Sequence, residues 1–266
     1  MTFNPVIPTG GLAGWNFLSR TVDTQKEVFS NSSVVQRDLD YFKEEFPKVN
    51  SADELVNDRR LLGVALGSFG LQDDIDNRYF IKRVIEDGTS DPSALSNLLS
   101  DKRYEELASA FSFPNSSRFD PSFTSSVADA YVDQAFELAV GEQNEDFRLA
   151  LNLQRSLGDL ASSSISNDAK WFSVMGSPPM RKVFEVAFRL PTSFANLPID
   201  DQLGVFKDRA QSAFGTDDLS QFSDPAEQDR IVDRFLLQSQ LTNFSTFSSQ
   251  STALTLLQSS TISYEQ

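Results

Sequence analysis

The residues able to do chemistry in this sequence are carboxylates, lysines and tyrosines, because it contains no histidine and no cysteine. Without histidine there is no common neutral-pH proton shuttle, no Ser-His or Cys-His nucleophile pair and no imidazole metal ligand. Without cysteine there is neither a disulfide framework nor a thiolate metal site. What remains is a set of acidic runs. Asp73-Asp74-Ile75-Asp76-Asn77 has the oxygen density of a divalent-cation loop, but it lacks the glycine at the sharp turn and the glutamate at the twelfth position that a calcium loop uses. It reads as helix capping that complements the helix dipole. Glu44-Glu45, Glu105-Glu106 and Asp200-Asp201 resemble paired catalytic acids. Adjacent helical residues diverge by about 100°, however, so these pairs read as solvated faces. Arg59 and Arg60 beside Asp58, with Arg103 as their counterpart, read as partners in structural ion pairs. Gly63 and Gly67, four apart, read as a device for close helix approach, while Gly10, Gly11 and Gly14 form no phosphate loop, since no strand precedes them and no Lys-Ser/Thr follows. No catalytic residue, cofactor or metal ligand is expected.

The elements that must position these groups read as helices. Ser51 and Glu54 form a capping box, Leu55, Leu62, Ala65, Leu66 and Phe69 follow on one stripe, and Gly70 supplies a stop, which together predict one central helix from Ala52. Other helices are expected at about Gly11 to Phe29, Val34 to Phe46, from Asp73 or Asp74 through Asp87, from Asp91-Pro92, Pro178 to Phe188, Ile199 to Phe214 and Pro225 to Leu241. The stretch Ser122 to Leu160 is helical throughout and bent or split at Gly141. No run alternates with period two. The expectation is all-α, a multi-helix bundle of about ten helices.

A small residue and a phenylalanine close a helix at Phe69, Phe111, Phe188 and Phe214, and these four are expected to be buried structural anchors. Upstream of three of them stands a charged triplet, Asp58-Arg59-Arg60, Asp101-Lys102-Arg103 or Lys207-Asp208-Arg209, as degenerate helical-pair repeats would leave, although a phenylalanine anchoring a helix end in a core also arises independently. Composition divides the chain into a flexible N-terminal segment, 1–9, an all-helical globular domain, 10–241, and a Ser/Thr/Gln-rich flexible tail, 242–266. Within the tail, Phe244, Phe247, Leu254, Leu256 and Leu257 are candidate partner-binding residues, able to form an apolar stripe once a partner supplies the other face.

The balance of 23 Lys and Arg against 38 Asp and Glu, a net charge of −15, repels phosphate backbones, so nucleic acid is not expected as a partner. No window approaches the roughly 20 apolar residues of a membrane helix, and no small-molecule substrate is evident. The N-terminus has no basic residue before its apolar stretch, so a cleaved export signal is not expected and synthesis in the cytoplasm is.

Several stretches carry a resemblance when taken together: G-G-L-A-G-W-N-F-L-S-R-T at Gly10 to Thr21, L-V-N-D-R-R-L-L-G-V-A-L-G-S-F-G-L at Leu55 to Leu71, D-K-R-Y at Asp101 to Tyr104, F-E-L-A-V-G-E-Q at Phe136 to Gln143 and F-R-L-A-L at Phe147 to Leu151. They resemble the bacterial family catalogued as domain of unknown function 1217, all-helical proteins often encoded among flagellar basal-body genes. The resemblance covers nearly the whole chain and carries over no catalytic residue. It implies a non-enzymatic accessory or structural protein of the flagellum, in assembly or motility, that acts on a protein partner by contact and is exported to or associated with that organelle. The alternative is a cytoplasmic chaperone or regulator of flagellar export. A third reading, from another class, is a hydrolase or lyase working with carboxylates, which a deep pocket holding two converging acids would favour.

Overall fold

Helix-start chemistry decides where the chain bends, and it does so most visibly at Asp58. In the computed structural model, which describes residues 3–113 and 121–242, the expected central helix is two helices, α3 (Ala52–Asn57) and α4 (Arg59–Ser68). Asp58 between them is extended (φ −94°, ψ 104°), and its carboxylate accepts hydrogen bonds from the amides of Arg60 and Leu61 at 2.9 and 3.1 Å. The Tyr41 hydroxyl donates a third at 2.6 Å. A side chain that satisfies the first amides of a new helix removes the gain from continuing the old one. Ser51 caps α3 as expected, accepting from the Glu54 amide at 3.2 Å.

The remaining elements are α1 (Gly11–Ser30), α2 (Ser33–Glu45), α5 (Arg78–Asp87), α6 (Leu95–Leu98), α7 (Arg103–Ala110), α8 (Pro121–Gly141), α9 (Glu145–Ser162), α10 (Asn167–Gly176), α11 (Pro178–Ala187), α12 (Ile199–Phe214) and α13 over 225–242. Among the described residues the fold is all-α. Gly141 does split the long helical stretch, and Asn144 caps α9 by accepting from the Phe147 amide at 3.1 Å. Neither Asp73 nor Asp74 caps α5, which starts after Asn77. Asp74 instead takes the hydroxyl of Tyr104 at 2.6 Å and the amide side chain of Asn77 at 2.7 Å, so a short 3-10 turn, Gln72–Asp74, is tied to α7.

The helices bury two hydrophobic clusters. One gathers Phe42, Phe46, Leu62, Leu66, Ile81 and Phe111 from α2 to α7. The other gathers Trp15, Phe136, Phe147, Trp171, Phe184, Phe206 and Phe235 from α1 and α8 to α13. Helix α8 is the shared wall, giving Val127 to the first and Phe136 and Val140 to the second, while Tyr131 packs against both. A Cβ on Gly67 would meet the Tyr131 ring at 2.8 Å, so this glycine sets the close approach of α4 to α8; at Gly63 the nearest atom is 3.5 Å away, an ordinary contact.

Three expectations need correction. First, the N-terminal segment is pinned, not flexible, over residues 3–9. The Phe3 ring lies 5.5 Å from Phe29 and 6.3 Å from Phe136, Val6 exchanges two hydrogen bonds with the buried Gln25 side chain, and the Pro5 carbonyl accepts from Gln143 at 2.7 Å. Gly14 permits this crossing, because a Cβ there would stand 1.7 Å from the Thr9 carbonyl oxygen. Second, of the four helix-end phenylalanines, Phe111 and Phe188 are buried, but Phe69 and Phe214 are only half-buried. Phe69 meets Phe111 edge to face at 6.1 Å with its other side open, and Phe214 is roofed by the Arg230 guanidinium at 5.4 Å. Third, the charged triplets are not a threefold repeat. Asp58 and Asp101 each bond an amide two residues on at the start of a helix, whereas Lys207-Asp208-Arg209 lies inside α12, where Lys207 pairs with Asp168 at 2.8 Å. Phe244, Phe247, Leu254, Leu256 and Leu257 lie outside the described residues.

Candidate functional site

The seam between the two clusters opens on one side into a groove of about 460 Å³, within the range of small-ligand sites. Its walls are the end of α4 at Phe69 and Gly70, the first turn of α7, the outer face of α8 and one face of α9, with Pro179 and Met180 of α11 at the far end. The Lys102 amide donates to the Gly176 carbonyl at 3.2 Å, which ties the start of α7 to the end of α10 and closes that end of the seam.

Four cations line the groove, and each is engaged by a carboxylate of this chain. Lys102 pairs with Glu105 at 2.8 Å and Arg103 with Asp101 at 2.6 Å, while Arg148 pairs with Glu145 and Arg155 with Glu137 at 2.7 Å. Arg103 also donates to the carbonyl of Gly70, whose left-handed backbone (φ 68°) turns that oxygen toward α7. Glu137 is 2 % exposed and accepts a further bond from the Asn152 amide at 3.2 Å, so this buried charge is paired and hydrogen-bonded on both oxygens. Burial alone would lower the Arg155 guanidinium; the charge of Glu137 and its bond outweigh that and raise it.

Two carboxylates on the walls, Glu106 and Asp159, have no ion pair or side-chain hydrogen bond among the described residues. Glu106 is exposed along the groove, with enough protein near its carboxyl to cost it part of its hydration. Lost hydration raises its carboxyl above the ordinary range, with Asp101 and Glu105 adding to the effect and Arg155 and Arg103 opposing it.

The acidic pairs behave as helical geometry requires. Glu105 turns to Lys102 while Glu106 turns into the groove; Glu44, Asp200 and Asp201 are exposed, and Glu45 pairs with Lys48 at 2.7 Å. Glu106 is exposed as expected, and it lines the groove because α9 lies opposite. In the run at 73–77, Asp76 pairs with Arg59 at 2.6 Å and Asp74 with Tyr104. Among the described residues no three acids are gathered as a metal site would need. Arg60 is paired as expected, stacked 4.0 Å from the Tyr41 ring and bonded to Asp38 at 3.3 Å. Of the four phenylalanines only Phe69 touches the groove.

The family model described as a protein of unknown function, DUF1217, matches residues 68–227, more than half of the chain. The chain belongs to the DUF1217 family. Every residue lining the groove, from Ser68 to Met180, falls inside the DUF1217 stretch. The fold of this DUF1217 protein is shared by the X-ray crystal structure of protein AGR_C_984 from Agrobacterium tumefaciens, with a TM-score of 0.72 over 90% of this chain and 99% of that one at 24% identity. No curated protein matches the sequence. Among the described residues no helix is long and apolar enough to cross a membrane.

Proposed function

We propose that this chain is a non-enzymatic accessory or structural protein of the bacterial flagellum that works by contact with another protein. The flagellar part of the reading rests on the sequence resemblance. The observation that supports contact over catalysis is the state of the groove: Lys102, Arg103, Arg148 and Arg155 are already committed to carboxylates of the same chain. Such a surface is preformed and, among the described residues, offers no free cation to stabilise a developing negative charge. The enzymatic reading draws on Glu106, since a carboxyl raised by lost hydration suits a general acid or base. The other free acid on the groove wall, Asp159, is exposed to solvent, and Glu137, beside Arg155, is held on both oxygens by Arg155 and Asn152 and is poorly placed to exchange a proton with a substrate. In this proposal the partner is a protein, not nucleic acid, a membrane interior or a small molecule; synthesis is cytoplasmic and the working place is the flagellum.

A tagged full-length chain expressed in motile cells, captured with its partners after mild crosslinking, tests the reading alongside the swimming of a deletion strain. Enrichment of flagellar components together with reduced swimming is the expected result. Normal swimming with no flagellar component captured would overturn it.

A further inference from the structure

Residues 3–8 carry no helix and lie on the helices as a peptide lies in a binding site. This arm joins α1 at Gly11 and doubles back along it, so that Thr9 crosses at Gly14, Val6 meets Gln25 and Phe3 reaches Phe29. The receiving face is built for it. Gln25, 8% exposed, meets both polar groups of the Val6 backbone: its oxygen accepts from the amide at 2.7 Å and its nitrogen donates to the carbonyl at 3.2 Å. Gln143, between α8 and α9, donates to the Pro5 carbonyl at 2.7 Å and to the Asn4 side-chain oxygen at 3.2 Å. The Phe3 ring packs on Phe29 and Phe136, and Ile7 packs on the same cluster. Pro5 and Pro8 keep the arm from joining α1 and favour an extended backbone whether or not it is docked.

Among the described residues every hydrogen bond of the arm goes to Gln25 or Gln143, and none to the turn that joins it to α1, so the arm of a second copy would find the same partners. Only the turn separates the two states. Within one chain the backbone must reverse over Thr9 to Gly11, where Gly11 is left-handed (φ 68°) and a Cβ on it would stand 1.6 Å from the Gln240 side chain, and Thr9 passes only because Gly14 has no Cβ. A short, crowded hinge beside contacts that do not depend on it favours exchange between copies. We infer that two copies of this chain exchange these arms: residues 3–8 of each dock on the Gln25, Phe29, Phe136 and Gln143 face of the other, closing a twofold dimer and leaving Thr9 free of Gly14. The contacts being equal, the hinge is set against concentration. A tethered arm has an effective concentration on the order of millimolar, so exchange grows as the protein is concentrated or the turn is made harder. The inference concerns self-association and does not rest on the flagellar reading.

The chain has no cysteine, so one can be placed on each side of the contact, at exposed positions that leave Phe3 and Gln25 in place. A full chain carrying Asn4→Cys and a size-tagged full chain carrying Gln143→Cys are mixed, concentrated to about the millimolar range and treated with a short bismaleimide. Neither chain holds two cysteines, so a cross-linked heterodimer reports an arm lying on the other copy's face. It should exceed the homodimers of either variant, and its yield should rise with protein concentration. Gly14→Ala in both chains should raise that yield several-fold, because the added Cβ obstructs the crossing within one chain. Phe3→Ser in the Asn4→Cys chain should remove most of it, and so, separately, should Val6→Pro, which deletes the amide that Gln25 accepts; both changes lie in the arm, and melting curves check that the helical body stays folded. A heterodimer no more abundant than the homodimers, one that survives both arm variants, or a yield that Gly14→Ala leaves unchanged would each overturn the inference.

Discussion

Glu106 and Glu137 both lie beside Arg155, yet only Glu137 is bonded to it. The free carboxyl should act on stability through its shifted ionisation. Its folded value is raised above the ordinary 4.5, so between that pH and the folded value the native state holds the proton more tightly than the unfolded chain does. The contribution is present below about pH 4.5 and is lost as pH rises through the folded value. Glu106→Gln should therefore raise the melting temperature at pH 7 and bring little change at pH 4, as melting curves at the two pH values would show; a lower melting temperature at pH 7 would mean that the carboxylate is paired after all. The phenylalanines separate in the same way by surroundings. Phe111→Ala opens a cavity in a closed cluster and should cost about 3–5 kcal/mol, whereas Phe69→Ala gives up only one buried face and should cost about 1–2 kcal/mol. Urea titration of both variants checks the order. Sequence pattern placed an aromatic ring at each helix end, but which rings are covered depends on neighbours far along the chain, such as Phe123 against Phe111 and Arg230 over Phe214.

At the scale of elements, the apolar stripes were legible because they arise within a few turns of one helix, and α1, α2, α9, α11 and α12 lie close to where their periodicity puts them. The break at Asp58 was not, because a cap inside an unbroken apolar stripe is outvoted by the stripe. Asp58 shows what the cap is worth. Burial would raise its carboxyl, but the Tyr41 hydroxyl, the amides of Leu61 and Arg60 and the Arg60 charge together hold it below the ordinary 3.8. A depressed carboxyl stabilises the fold above its unfolded value and ceases to do so as pH falls through the folded one. Asp58→Ala should cost about 1–2 kcal/mol at pH 7, and the gap from the unaltered protein should narrow on acidification below about pH 3.8. Asp58→Asn keeps a good cap while removing the charge, so it should cost less at pH 7 and flatten the acid dependence. Denaturant titrations at pH 7 and pH 3 read both; a gap for Asp58→Ala that stays constant with pH would detach the cap from the ionised carboxylate.

For the whole molecule, the all-α class followed from local periodicity, but the division into two clusters and the groove at their seam follow from contacts such as Lys102 with Gly176 and Arg155 with Glu137, which no spacing announces. The same holds for the N-terminus. Its prolines and glycines read as a loose end, yet Phe3 caps the Phe29–Phe136 pair and the Val6 backbone satisfies a Gln25 side chain that is 8% exposed. Removing residues 2–9 would uncover those rings and leave the Gln25 amide without its backbone partners, a loss of about 3 kcal/mol or more when the aromatic and polar terms are combined. A chain lacking residues 2–9 should therefore melt well below the full chain while keeping a helical far-ultraviolet spectrum. Gly14→Ala tests the same crossing without shortening the chain, because its Cβ would displace the Thr9 carbonyl from α1; it should lower the melting temperature in the full chain and have a much smaller effect once residues 2–9 are gone, since fewer contacts then hold the segment in place. If the deletion leaves the melting curve unchanged, the segment merely lies on the second cluster. If Gly14→Ala costs as much in the shortened chain as in the full one, its effect comes from α1 itself and not from the crossing.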